Sequence, residues 1–170
     1  MISFPGGHGI RWRRPLRPVA ALLTLIVLTV SVSACGITIP SDPDGTLDSV
    51  TGSTMHVGIS PEPGLVKIDD AGPSGPLVDL TEGFAASIDA RIEWTVAAEE
   101  SLVKGLETGD LDLAVGGFTD QTPWTDRAGI TRGYTGISGA GDRSLVFLVP
   151  LGENAFLTKL EKFLDEEVGA

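Results

Sequence analysis

The alternation of strand-like and helix-like segments after residue 54 constrains the fold of this chain more than any other feature. Segments typical of strands lie at residues 55–60, 91–96, 111–116 and 144–149, and a weaker one lies at residues 128–134. Segments with apolar side chains at three- and four-residue steps, the period of one helix face, lie at residues 76–89, 99–108 and 153–168. Strands that alternate with helices are typical of an α/β domain with a mostly parallel sheet.

The first 34 residues differ sharply from this pattern and are predicted to be a signal peptide, residues 1–34. Four arginines precede an uncharged, mainly apolar run of 16 residues, 19–34, which is short for a bilayer span. The sequence VSAC at residues 32–35 resembles the bacterial lipobox, a small-residue cleavage site directly before a cysteine that becomes diacylated. The leader therefore predicts export of the rest of the chain.

Cys35 is the only cysteine of the chain, so an exported form has no internal disulfide partner for it. The thiol is then acylated, cross-linked to another chain, or free. We predict lipidation of Cys35, which would hold the protein on the extracytoplasmic face of the cell membrane, because two or three acyl chains bind a bilayer firmly. The alternatives are an uncleaved anchor helix and a buried cysteine that happens to follow a signal sequence.

The chain after the leader is strongly acidic. Of the 12 Lys and Arg residues 4 belong to the leader, which leaves 8 against 23 Asp and Glu and a net charge of −15. A surface of this charge repels nucleic acid, so nucleic acid is not expected as a partner. Residues 35–54 are rich in Pro, Asp, Gly, Ser and Thr and are predicted to be a flexible tether, and residues 55–170 a single lobe.

Five short motifs, in this order, resemble the family 3 extracellular solute-binding proteins, the receptors of polar amino acid uptake systems. They are HVGISP at 56–61, GPLVDL at 75–80, LETGDLD at 106–112, VGGFT at 115–119 and ITRGY at 130–134. The segment at 147–160, FLVPLGENAFLTKL, resembles the family's returning strand and terminal helix. The resemblance implies a type II periplasmic-binding-protein-like fold for residues 55–170.

The resemblance also implies that one of the family's two lobes is missing. Family members cross to a second lobe after the motif at 130–134, whereas here only the glycine-rich turn at 136–142 separates the crossing from the return. The expected structure is one complete lobe, an α/β fold with a five-stranded mixed sheet of order 2-1-3-5-4 flanked by helices. The fifth strand is expected to be antiparallel to its neighbours, because so short a connection cannot join parallel strands.

Ligands of open α/β sheets bind beyond the carboxyl ends of the strands. By the resemblance, the candidate ligand-binding residues are Ser60 and Glu62 after the first strand, and Gly117, Phe118 and Thr119 after the third. Backbone N–H groups near Gly117 could donate to a carboxylate, since glycine lets the chain approach a ligand closely. For Thr119, a hydroxyl that only closes a turn is the alternative.

Trp124 is a further candidate and also a departure from the family. It stands where the family has an arginine that pairs with the ligand carboxylate, and Leu65 stands where the family has an aromatic residue that stacks on the ligand. Trp124 could offer an aromatic face to a partner or to a second copy of the lobe, or it could fold back over the sheet edge. With the second lobe also absent, we expect solute binding to be weak.

No catalytic, metal-binding or cofactor-binding set of residues is recognisable in the sequence after Cys35. The single histidine there, His56, alternates with apolar neighbours in the first strand, which predicts a structural role. Asp79 and Asp112 are predicted to cap a helix or close a turn. We therefore expect a protein that is not an enzyme and takes no metal or cofactor.

The predicted function is that of a membrane-anchored, extracytoplasmic solute-binding-protein-like lipoprotein. It would be a weak binder or accessory of a transport system for amino acids or other small polar solutes, with the membrane permease of an ABC transporter as its partner. The alternative is a protein-interaction or sensor module that does not transport solute. It would dock a partner on the former ligand face, through aromatic side chains such as those of Trp124 and Tyr134.

Overall fold

The computed structural model describes residues 42–169, so the predicted signal peptide at 1–34, Cys35 and the first part of the predicted tether lie outside the described residues. The helices are α1 (Thr46–Val50), α2 (Pro76–Ser87), α3 (Glu99–Thr108) and α4 (Asn154–Glu167). The strands are β1 (Thr54–Ile59), β2 (Lys67–Asp69), β3 (Gly72–Ser74), β4 (Arg91–Val96), β5 (Leu113–Val115), β6 (Gly129–Ile130) and β7 (Leu148–Val149). None of the helices within residues 42–169 has the length and apolar character that a membrane span requires.

Five strands form one mixed sheet in the order β4-β1-β5-β7-β6, with β1 parallel to both β4 and β5. Strand β7 runs antiparallel to β5 and to β6. The predicted order 2-1-3-5-4 and the antiparallel last strand are therefore confirmed. Strands β2 and β3 form a separate antiparallel hairpin in the loop between β1 and α2.

The two faces of the sheet are covered by different helices. Met55, Val57 and Ile59 alternate along β1 and are fully buried in a cluster that also contains side chains of α2 and α4. On the opposite face, a Cβ atom added at Gly58 would lie 2.6 Å from Leu102 Cδ2 of α3. Glycine at this position of β1 therefore allows α3 to pack directly on the strand.

Helices α2 and α4 pack against each other through aromatic rings. The ring of Phe84 in α2 lies 5.6 Å from that of Phe156 and 5.7 Å from that of Phe163, between ring centroids. Phe156, Leu160 and Leu164 recur at four-residue steps in α4 and are buried. This stripe explains why the final amphipathic helix closes the lobe rather than leaving it.

The predicted tether at 35–54 ends earlier than its composition suggested, because Thr46–Val50 forms α1 instead. Val50 is buried in the larger cluster. The backbone N–H groups of Asp44 and Thr46 donate to the carboxylate of Glu153, at 2.9 and 2.8 Å. A helix of five residues is not stable by itself, and these contacts with the far end of the chain hold it in place.

Candidate functional site

The carboxyl ends of β1 and β5 meet at one edge of the sheet because the two strands run parallel. Ile59 is in register with Val115. The next residue, Ser60, is buried and donates its backbone N–H to Val115 O at 3.1 Å. The loops that follow the two strands therefore begin side by side, which is where the sequence placed the candidate ligand site.

Two glycines allow these loops to touch. A Cβ atom added at Gly117 would lie 2.6 Å from Glu62 Oε2, and one added at Gly116 would overlap with Ser60 Oγ. A larger residue at either position would have to displace the neighbouring side chain. We call the group formed by Ser60, Glu62, Gly116 and Gly117 the Glu62 site.

The backbone of the loop after β1 fixes the position of Glu62. Its N–H donates to Val66 O at 3.1 Å, and its carbonyl accepts from Leu65 N at 3.0 Å. Leu65 and Val66 are both buried in the core under α2. The Glu62 carboxylate is thus held at the sheet edge by a loop whose next turn is anchored in the protein interior.

Arg143 is the partner of Glu62 and was not among the residues that the sequence singled out. Its Nη1 lies 2.6 Å from Glu62 Oε1, and its Nε donates to Ala140 O at 3.1 Å. The side chain of Arg143 is 37% exposed and that of Glu62 is 27% exposed. Glu62 and Arg143 are 81 residues apart along the chain, so no local pattern could have linked them.

The glycine-rich turn that carries Arg143 is part of the core rather than a loose bend. Ile137 and Ala140 are buried in the same cluster as Leu65. A Cβ atom added at Gly139 would overlap with the carbonyl oxygen of Gly64, and both glycines have positive φ, 83° and 81°. The turn therefore lies directly on the loop after β1 and covers one side of the Glu62 site.

A groove of about 660 Å³ opens beside this loop. It is bounded by the loop after β1, the β2–β3 hairpin and the first turn of α2. Its lining is mainly apolar and includes Glu62, Leu65, Ile68 and Pro76. The groove gives the Glu62 carboxylate an apolar neighbourhood that a small solute could enter.

Phe118 and Thr119 follow Gly117, yet the structure gives both of them structural contacts. Phe118 is 2% exposed and belongs to the cluster under α3. The Oγ1 of Thr119 accepts from the backbone N–H of Gln121 at 3.3 Å, which is the turn-closing role that the sequence left open. Neither side chain contacts Glu62 through a hydrogen bond among the described residues.

Trp124 packs on the α3 side of the sheet and not on the Glu62 site. It is half-buried against the cluster that contains Phe118 and Leu102. The guanidinium of Arg127 lies 5.2 Å from the centroid of its ring. The indole Nε1 is buried and has no hydrogen-bond partner within residues 42–169. Of the two roles that the sequence left open for Trp124, the packing matches the folded-back one.

Arg127 is held over Trp124 by a bidentate ion pair. Its Nε and Nη2 donate to the two carboxylate oxygens of Glu107 at 2.6 and 2.8 Å. The hydrogen bond from Arg127 lowers the pKa of Glu107 to about 2. This pair links the loop after β5 to the end of α3, so Arg127 stabilises the lobe and is not directed toward a ligand.

The side chain of His56 in β1 is half-exposed and contacts two carboxylates. Its Nδ1 lies 3.3 Å from Asp112 Oδ2, and its Nε2 lies 3.9 Å from Glu93 Oε2. Asp112 also accepts the backbone N–H of His56 at 2.8 Å. These contacts join β1 to β4 and to the residue that precedes β5, and no set of three ligating side chains suited to a metal ion occurs within residues 42–169.

Comparisons with known proteins give likenesses of structure. No protein-family model matches the sequence, and no curated protein sequence matches it. Seventy-nine chains of solved structures match. One is the arginine-bound form of domain 1 from TmArgBP, with a TM-score of 0.58 and 19% identity over 66% of this chain and 92% of that one.

Two further structures have similar scores. A Salmonella typhimurium periplasmic binding protein of high arginine specificity gives a TM-score of 0.57 and 11% identity, over 69% of this chain and 94% of that one. An ancestral amino acid-binding protein, a precursor of cyclohexadienyl dehydratase, gives 0.56 and 15%, over 71% and 92%. At these identities the likeness concerns the fold, and the predicted fold class, a single periplasmic-binding-protein-like lobe, is confirmed.

Proposed function

We propose that this chain, whose folded part is one lobe of the type II periplasmic-binding-protein-like fold, is a solute-binding lobe that takes a small polar solute at the Glu62 site. The observation that carries the proposal is the close approach of Glu62 to Gly117 at the carboxyl ends of β1 and β5. This is the edge at which open α/β sheets bind ligands. A carboxylate, glycine backbone and an adjoining apolar groove together suit a small solute with a positively charged group.

Amino acids, and cationic ones foremost, are the solutes that we propose. The similar structures are arginine-bound or arginine-specific binding proteins and an amino acid-binding protein. The net charge of −15 after residue 34 attracts cations to the surface of the lobe. A single domain of similar fold in an arginine-bound form also supports solute binding by one lobe without a second.

We further propose that the lobe acts at the outer face of the cell membrane, anchored through a lipid on Cys35. The leader at 1–34 and the VSAC sequence before and at Cys35 support this location. The lobe would pass its solute to the membrane permease of an ABC transporter, or assist another receptor that does so. Weak binding is expected, because one lobe leaves part of the solute in water.

Solute binding can be tested on the full chain in detergent micelles by following backbone amide signals in NMR during titration. We expect millimolar arginine or lysine to shift the signals of Ser60, Glu62, Gly116 and Gly117, and glutamate to shift them much less. The variant Glu62→Gln should lose the response, while the matched variant Glu107→Gln should keep it. If no signal of the loops after β1 and β5 moves, the lobe does not bind these solutes.

The lipid anchor needs a separate measurement. Cells that express the full chain should incorporate labelled palmitate into it, and the variant Cys35→Ser should lose both the label and membrane association. Equal membrane association of the two proteins would contradict anchoring through Cys35.

Within residues 42–169, the two aromatic side chains that the interaction-module alternative invoked give it no specific support. It rested on exposed aromatic side chains, but Tyr134 is 2% exposed and Trp124 is half-buried against the α3 side. The Tyr134 hydroxyl lies 3.1 Å from both Glu161 O and Asp165 Oδ1 of α4. Solute binding is therefore the function that we put forward.

A further inference from the structure

We propose that Arg143 is a built-in competitor at the Glu62 site, so that a solute carrying a guanidinium group binds by taking over the Glu62 carboxylate from Arg143. The inference rests on the proposed function and names the solute class of the same site. It starts from the group that the structure shows paired with the Glu62 carboxylate, which is the guanidinium of the chain's own Arg143.

The contact between the two side chains can be exchanged. Only one nitrogen of Arg143 faces one oxygen of Glu62, Nη1 to Oε1 at 2.6 Å. Both side chains are partly exposed, by 37% and 27%, so water and solute reach the pair. Ion pairs with this exposure are weak, whereas a free guanidinium can donate two parallel hydrogen bonds to a carboxylate. A solute can therefore form a stronger contact than the one it replaces.

The backbone of Glu62 stays in place when Arg143 is displaced, because the hydrogen bonds of that backbone do not involve Arg143. The backbone N–H of Glu62 donates to Val66 O, and the carbonyl of Glu62 accepts from Val66 N. The Oε2 of Glu62 lies against Gly117. Within residues 42–169, Arg143 is the single cationic side chain paired with Glu62. Displacement would thus leave an oriented, unpaired carboxylate, which is the group that a cationic solute requires.

The groove beside Glu62 supplies a place for the rest of the solute. It has a volume of about 660 Å³ and is lined by Glu62 itself together with Leu65, Ile68 and Pro76. Arg143 reaches Glu62 from the glycine-rich turn and does not line this groove. A solute with an aliphatic stem, such as arginine or agmatine, could place its stem in the groove and its guanidinium on Glu62.

The packing of the glycine-rich turn holds Arg143 close to Glu62. Ile137 and Ala140 anchor the turn in the core, and Gly139 lies on the backbone of Gly64. Arg143 is therefore present at a high effective concentration beside Glu62. The apparent dissociation constant of a solute rises by the factor by which Arg143 reduces the fraction of free Glu62.

Isothermal titration of the full chain in detergent micelles with arginine and with agmatine tests the inference. The wild-type chain is compared with Arg143→Ala, with Arg143→Gln, which keeps most of the stem without the charge, and with Arg143→Lys, which keeps the charge. Arg127→Ala is the matched control, because it removes an Arg–Glu pair of the same length, 2.6 Å, on the other side of the sheet. Circular dichroism verifies that each variant is folded.

We expect Arg143→Ala and Arg143→Gln to bind both solutes roughly fivefold more tightly than the wild type, since a partly exposed ion pair of ordinary strength is removed from the competition. Arg143→Lys and Arg127→Ala should stay near the wild-type affinity. If the wild type binds and neither neutral variant at Arg143 binds more tightly, the competitor role is overturned and the solute site stands. If no protein in the series binds either solute, the proposed function and this inference both fail.

Discussion

The carboxylate of Glu153 accepts the backbone N–H of Thr46 at 2.8 Å across 107 residues of chain, and Glu153 is 1% exposed. It also accepts the N–H of Asp44 at 2.9 Å. In return, Asp42 accepts the N–H of Leu47 at 2.9 Å and that of Phe156 at 3.4 Å. The first helix of the lobe and the start of its last helix are thus joined by two carboxylates.

Replacing Glu153 should destabilise the lobe strongly. In Glu153→Ala, the buried backbone N–H of Thr46 and the part-buried N–H of Asp44 lose their acceptor, and we expect the free energy of unfolding to fall by about 2–4 kcal/mol. The control Glu166→Ala removes the same charge from an exposed position of α4 and should change it by less than about 0.5 kcal/mol. Urea denaturation measures both, and equal midpoints would show that the contact contributes nothing.

The contact of Gly139 with Gly64 can be separated from the cost of positive φ alone. Gly141 has a φ of 62° with open space at its Cβ position, so Gly141→Ala should lose about 1 kcal/mol of unfolding free energy. Gly139→Ala adds an overlap with the Gly64 carbonyl and should lose about 3 kcal/mol or more. Thermal or urea unfolding measures the loss of unfolding free energy in the two variants. Similar losses would mean that Gly139 and Gly64 are not in close contact.

Substitutions of Trp124 and of Glu62 should have opposite effects: the first should reduce stability, and the second should reduce solute binding. Trp124→Ala removes a large half-buried ring from the α3 side, and we expect a loss of about 3 kcal/mol in unfolding free energy with little change in solute affinity. Trp124→Phe keeps much of the packing and removes the unpartnered indole N–H, so it should cost far less. Glu62→Gln should abolish solute binding with a small effect on stability. A Trp124→Ala protein that is fully stable but no longer binds arginine would place Trp124 in the site after all.

Tyr134 provides a pH-dependent test of the packing of α4. Burial raises the pKa of Tyr134 to about 12 from its ordinary 10.0, with the Asp165 carboxylate acting in the same direction and Arg132 opposing it. The unfolded chain therefore releases this proton at lower pH than the folded chain, so the free energy of unfolding should fall as the pH rises from about 10 to about 12.

Because Tyr134 is the only tyrosine of the chain, phenolate absorbance reports its ionisation directly. We expect a midpoint near 12 in the folded protein and near 10 in concentrated urea. A single midpoint near 10 under both conditions would show that Tyr134 is open to water.

Several of the elements that the sequence predicted correctly are set by local periodicity. Strand β1 was predicted from the alternation of Met55, Val57 and Ile59. Helix α4 was predicted from the four-residue steps between Phe156, Leu160 and Leu164. The sheet order followed from the resemblance, and the antiparallel direction of β7 followed from the length of its connection. Each of these rests on motifs or segments that can be read directly from the sequence.

Most of the features that the sequence did not predict depend on contacts between residues far apart in the chain. Arg143 meets Glu62 only after the glycine-rich turn has packed into the core, and nothing near Arg143 in the sequence marks it as a site residue. Helix α1 was hidden because its stability comes from Glu153 and not from its own composition. Phe118 was assigned to the ligand, although the strand that it follows directs its ring under α3.

The two carboxylates that join α1 to α4 determine how the lobe would respond to mechanical tension. A pull on the chain ahead of Asp42 reaches the first turn of α4 through Asp42 and Glu153 before it reaches β1. Strand β1 lies second in the sheet between β4 and β5, so its extraction would open the whole core. Under load, the hydrogen bonds of Asp42 and Glu153 would break first. The sheet and its Glu62 site would stay intact until those bonds had broken.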